Sequence, residues 1–95
     1  MQINYTTEAF ASLIQLVNYI EFKNTQGAGL RWLKRFEIFL IKKLHTSSQI
    51  KFCNNETFHQ LKLRCVYFNE WVIAFSIHED SALIEALLHK SRITD

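Results

Sequence analysis

The side chains best suited to chemistry lie late in the chain, at Lys62, Arg64, Glu85, His89 and Arg92. Three are permanent cations, which hold phosphates or carboxylates. The other two are a carboxylate and an imidazole, the pair most often used to move protons. Their sequence context is strand-like. Leu61, Leu63 and Cys65 alternate with Lys62, Arg64 and Val66, and Ile73, Phe75 and Ile77 alternate with Val72, Ala74 and Ser76. With Ala82 to His89 this predicts two successive hairpins, an antiparallel three-strand meander.

The expected register follows from burial. A three-residue turn at Phe68-Asn69-Glu70 and a two-residue turn at Asp80-Ser81 collect Leu61, Leu63, Cys65, Ile73, Phe75, Ile77, Ile84, Ala86 and Leu88 on a core face. The opposite face then shows Lys62, Arg64, Val72, Ala74, Ser76, Glu85, Leu87 and His89. That is a shallow trough with small residues on its floor. Cations line one wall, with Glu85 and His89 on the other, and side chains two strands apart start ~10 Å from each other. A phosphate or a peptide carboxylate fits that gap. The alternative is a solvated, loosely paired sheet face, in which each ion pair contributes ~0–1 kcal/mol.

Helices must position this sheet. Gln2 to Tyr5 alternates like a short strand. Thr6 or Thr7 caps a first helix from about Thr7 to Phe22, with Glu8 in its first turn and Phe10, Leu13, Ile14, Val17 and Ile20 at helical spacing. Lys23 to Gly27 breaks it. A second helix follows from about Gly27 or Ala28 to Leu44, with Gly29, Leu33, Phe36, Leu40 and Leu44 on one stripe and Arg31, Lys34, Arg35 and Lys42 opposite. The short link predicts an antiparallel helical hairpin. Ile38 falls within the basic face, with Trp32 and Phe39 on its flank, so the apolar surface is wider than one core contact needs. It is either a stripe buried by the sheet or a partner groove. His45 to Thr57 reads as a polar loop.

Ninety-five residues with 48% apolar and 21% charged side chains make one globular domain over 1–95, of α+β class. A net charge of +2 permits nucleic acid without demanding it. Cys53 and Cys65 lack the CxxC spacing of zinc or redox sites. They are expected to be reduced structural thiols, Cys65 as a small buried hydrophobe. No basic-then-apolar leader and no bilayer-length apolar run is seen, so a cytoplasmic location away from membranes is expected.

Several segments resemble one family over nearly the whole chain. They are Ile3-Asn4-Tyr5-Thr6 with Glu8-Ala9-Phe10, Asn18-Tyr19-Ile20 with Asn24, Ala28 and Phe36, Leu63-Arg64, Trp71 to Ile77, and Leu83 to Arg92 with its His-x-x-Arg ending. In this order they resemble the RelE/ParE superfamily, the toxins of type II toxin–antitoxin systems (the plasmid stabilisation family). The chain lacks a proline common after the family's second helix and a glycine often found before the strand arginine.

The resemblance implies an N-terminal strand, a helical hairpin and a three-strand meander in one sheet, with the helices on one face. It implies a cognate antitoxin, for which Trp32, Ile38 and Phe39 are the candidate contacts, and no metal or cofactor. It implies one of two targets. A RelE-like protein cuts mRNA on the ribosome by attack of a 2′-hydroxyl on the adjacent phosphate. Arg64, Glu85, His89 and Arg92 would then be catalytic, with Lys62 adding charge. A ParE-like protein blocks DNA gyrase without hydrolysis, and Lys62, Arg64, His89 and Arg92 would contact the target. The mild charge and the His89-x-x-Arg92 ending favour the gyrase reading. A third possibility is a non-toxic module that keeps only the antitoxin contact.

Overall fold

Thr6 organises the start of the chain. It follows the strand β1 (Gln2–Tyr5) and caps the helix α1 (Thr7–Lys23), accepting at Oγ1 from the Ala9 N–H at 3.1 Å. Its own N–H donates to the Ile84 carbonyl at 3.0 Å, which ties both elements to a strand near the far end of the chain. The computed structural model describes residues 1–93.

The expected helical hairpin is present. α1 is followed by α2 (Ala28–Leu44), and the turn between them passes through Gly27 at φ +86°, a left-handed conformation that glycine adopts without cost. Gly27 offers no side chain to cap α2. Glu21 supplies the missing acceptor from the preceding helix, taking the N–H groups of Gly27 (2.8 Å) and Gly29 (2.9 Å). The helices approach closely here: a Cβ on Gly29 would lie 2.6 Å from the Val17 carbonyl oxygen.

A short 3-10 turn (Ser47–Gln49) leads to α3 (Glu56–Gln60), a helix that starts at the end of the expected loop and was not foreseen. Asn55 caps it, accepting from the Phe58 N–H at 3.1 Å. At its other end Lys62 sits at φ +59°, with Lys62 N–H on the His59 carbonyl and Leu63 N–H on the Phe58 carbonyl. This is a Schellman ending. Lys62 is therefore a helix-stop residue, not the strand residue expected.

Three strands follow, β2 (Arg64–Phe68), β3 (Trp71–His78) and β4 (Ser81–His89), then a 3-10 turn (Lys90–Arg92). They form the expected antiparallel meander. The complete sheet is mixed, in the order β1-β4-β3-β2, with β1 parallel to β4 from Gln2↔Ser81 to Tyr5↔Ile84.

The register departs from expectation at both turns, the second lying at Glu79–Asp80 where Asp80–Ser81 was expected, and again within β4. Both turns have two residues, Asn69–Glu70 and Glu79–Asp80, each opened by a positive φ at its first residue (+53°). The shorter first turn shifts β2 by one residue, so Arg64 pairs with Phe75 and Cys65 with Ala74. A bulge then places Glu85 as an extra residue between the pairs Phe75↔Ile84 and Ala74↔Ala86. Beyond it, β4 reverses its faces.

The core consequently differs from the expected set. Val66, Ile73, Phe75, Ala82, Ile84 and Leu87 face the helices and pack with Leu13, Leu16, Trp32, Phe36 and Leu40. Leu63, Cys65, Val72 and Ala74 form a second cluster on the other face, with Cys53, Phe58, Ala86 and Ile93. Leu61, expected in the core, is exposed.

The α1–α2 contact yields two expectations. Gly29→Ala should destabilise the fold by ~1–3 kcal/mol through overpacking, read as a lower urea midpoint. The two backbone N–H groups hold the Glu21 carboxyl below the usual carboxylate range. Its stabilisation is present above its ordinary pKa and is lost as pH falls through the lowered folded value. The Tm gap between wild type and Glu21→Gln should therefore narrow as pH drops below that range, as followed by circular dichroism.

Candidate functional site

The small-residue floor expected for the trough is closed at Ala74 and part-exposed at Ser76. Ala74 is 0% exposed, covered by the second cluster. The residues expected on its walls are distributed over three places.

Arg64 opens β2 on the helix-facing side, the parity of Val66. Its guanidinium lies over the Phe52 ring, 4.4 Å from the centroid, and Nη1 donates to the Ile50 carbonyl. Phe52 pairs with Arg64 across an isolated antiparallel bridge and meets His59 edge-on at 6.0 Å. His59 Nδ1 donates to the Cys53 carbonyl at 2.9 Å. The planar cation thus lies on the phenyl face in a cation–π arrangement at the sheet edge, with the imidazole edge-on to the same ring. Lys51 and Lys62 flank it in sequence, and both are exposed.

A covalent bond holds this edge together. Cys53 and Cys65 form a disulfide, with 4.9 Å between Cα atoms. The expectation of two reduced thiols is therefore corrected. Cys65 is a small buried residue as expected, but its sulfur is bonded. The Cys53 N–H also donates to the Leu63 carbonyl at 2.8 Å, so segment 51–53 is fastened beside β2 by backbone and side chain.

His89 stands at the opposite end of the sheet, in the row Phe68/Trp71/His89. Its ring meets Trp71 edge-on at 5.1 Å. Nδ1 accepts from the Ser91 N–H at 3.1 Å, which leaves the proton of the neutral ring on Nε2. Lys90 pairs with Glu70 at 3.7 Å, with both side chains more than half exposed, so the pair contributes ~0–1 kcal/mol. Arg92 is exposed on the following turn. Glu85 occupies the bulge, half-buried, its carbonyl 3.5 Å from Thr6 Oγ1.

These positions do not converge. Arg64 and His89 are four ladder rows and two strands apart, ~16 Å at standard spacings. Glu85 lies four residues from His89 along β4 and is separated from Arg64 by β3. Acid–base catalysis needs its groups within ~3 Å of the same reacting atoms. The structure brings Arg64 together with Phe52 and His59, which were not singled out in the sequence. It brings His89 together with Trp71 and Ser91. Among the described residues no group of three His, Cys, Asp or Glu side chains could hold a metal ion. No described helix is long and apolar enough to cross a membrane.

The expected partner residues separate as well. Trp32 is 6% exposed, stacked on Phe36 at 5.1 Å and edge-on to Phe68 at 5.7 Å, so it belongs to the core. Phe39 packs half-buried on Phe68 at 4.9 Å. Ile38 is 47% exposed. Leu30 and Ile41 on α2 are exposed as well, as are Phe10, Ile14, Tyr19 and Phe22 on α1. Where β1 meets α2, Met1, Ile3, Tyr5, Glu37, Leu40 and Ile41 line a groove of about 250 Å³. Burial, and secondarily the Glu37 charge, push the Tyr5 phenol up to about 12. Around this apolar surface α2 exposes Arg31, Lys34, Arg35, Lys42 and Lys43 against Glu37 alone.

This division is measurable by urea denaturation. Trp32→Ala should cost ~3–5 kcal/mol, as for a large aromatic removed from a core. Ile38→Asp should change stability by less than ~0.5 kcal/mol, as for a surface site.

No protein-family model matches the chain, and no curated protein is similar enough to identify a family.

Proposed function

We propose that the chain is the toxin of a type II toxin–antitoxin module, and that it acts by binding its target, in the manner of the gyrase-directed toxins, rather than by cutting RNA. One observation carries the choice of mechanism: Arg64, Glu85, His89 and Arg92 do not surround a common point. Arg64 is engaged with Ile50 and Phe52, and His89 stands ~16 Å away. A surface that binds a macromolecule tolerates such spacing, because its contacts need not meet at one reacting atom.

The element order supports the toxin reading: an N-terminal strand, a helical hairpin and an antiparallel meander, joined in a mixed sheet. The outer surface of the hairpin supports the antitoxin. Leu30, Ile38 and Ile41 are exposed apolar residues of α2 set among exposed cations. That surface suits a partner segment that is itself apolar and acidic.

Induction of the chain in a bacterial host tests the reading. Growth arrest with filamentation and DNA-damage signalling is the expected outcome. Rapid translational arrest with mRNA cut in the ribosomal A site, abolished by Arg64→Ala and by His89→Ala, would establish the nuclease instead. Normal growth would leave only a binding module. In a pull-down with the product of the adjacent reading frame, Ile38→Asp should weaken the complex at least ~10-fold, ~1.4 kcal/mol. Unchanged binding would place the antitoxin elsewhere.

A further inference from the structure

We propose that Cys53 and Cys65 form a thiol–disulfide switch that gates the Arg64 guanidinium. Segment 50–53 is the only cover described for that group: Ile50 takes one of its N–H donors and Phe52 lies against its face. The segment belongs to no strand. Besides the disulfide it is held to β2 by a single isolated bridge, with Cys53 N–H on the Leu63 carbonyl and Cys65 N–H on the Lys51 carbonyl at 3.4 Å. Ile50 also packs on the main core and His59 holds the Cys53 carbonyl, but Phe52 is 43% exposed beside the edge strand, and such edge segments open locally at lower cost than the core. The disulfide removes that freedom, because it fastens Cys53, one residue from Phe52, to Cys65, one residue from Arg64.

The oxidised state therefore keeps Arg64 covered. Reduction leaves the segment on its non-covalent contacts, and each opening presents the guanidinium to an anionic group of a target, a phosphate or a carboxylate. The bordering charges favour such a group. From Ile50 to Arg64 the chain carries Lys51, Lys62 and Arg64 against Glu56 alone. A glutathione couple supplies the chemistry. The two cysteine thiols reduce one glutathione disulfide: the Cys53–Cys65 bond forms, the glutathione bond breaks, and two glutathione thiols leave with the two protons. Both sulfurs are buried in the closed state, at 0% and 7% residue exposure. Reduction therefore needs a rarer opening of the cross-linked edge, which slows the exchange without moving its equilibrium.

The gate is a property of the isolated chain. Only its consequence for a target rests on the toxin reading, so loss of growth arrest and loss of gating are separate results. The test is arginine labelling by phenylglyoxal, followed peptide by peptide by mass spectrometry. It compares the oxidised chain, the chain reduced with a phosphine, and the Cys53→Ser/Cys65→Ser variant. Arg31 and Arg35 on α2 serve as internal references. Labelling of Arg64 should accelerate about fivefold or more in the reduced chain and in the double variant, with both references unchanged. Equal labelling of Arg64 in all three samples would overturn the gate. So would acceleration at every arginine, because the disulfide would then support the whole fold rather than one segment.

Discussion

Side chains along a strand alternate between faces, so every residue of this sheet takes its side from the lengths of two turns and the place of one bulge. Two-residue turns at Asn69–Glu70 and Glu79–Asp80 bring Val66, Ile73 and Ile84 to the helices. The extra residue at Glu85 then lets Leu87 join them, where strict alternation would have offered Ala86. It also turns His89 toward Trp71 on the helix side. The chemistry available to the protein follows from this. Cys65 and Ala74 are closed in beneath Phe58 and Ile93, while Arg64 is carried to the helix side beside Phe52.

The helix layer obeys a different constraint, the distance between two backbones. Gly29 allows α2 to approach Val17, and the Glu21 carboxylate holds the contact by satisfying N–H groups that the start of α2 leaves without intrahelical partners. Close approach keeps the inward stripes narrow. α1 and α2 bury Leu13, Leu16, Phe36 and Leu40, and leave Phe22, Leu30 and Ile41 in solvent. The hairpin thus has an inner face matched to the sheet and an outer face with more apolar area than solubility favours.

Much of this was legible in the residues. The hairpin, its break near Gly27, and strands β3 and β4 are carried by strong periodicity and by turn residues. The register was not, because Phe68-Asn69-Glu70 accommodates a turn of two or of three residues, and the difference inverts the face of every residue in β2. The five residues of α3 are too few to show a helical period. The disulfide left no trace, since a separation of 12 residues says nothing about distance. Trp32 falls on the flank of the α2 wheel, and its contacts with Phe36 and with Phe68 of β2 hold it inward. The dispersal of the candidate site follows from the same turn and bulge.

The parallel pairing of β1 with β4 governs the order in which the molecule can be completed. Gln2 meets Ser81, and Thr6 meets Ile84, across nearly the full length of the chain. During synthesis β1 and the hairpin leave the ribosome before β2, β3 and β4, with none of those strands yet available to receive them. The surface that will cover the sheet waits, apolar and unmatched, until β4 emerges. Contacts so distant in sequence also slow closure, because the loop entropy is lost before the pairing returns it. The growing chain therefore passes through an interval in which its helices are made and its sheet is not. Any ligand that prefers those helices meets them bare then, before the finished protein exists.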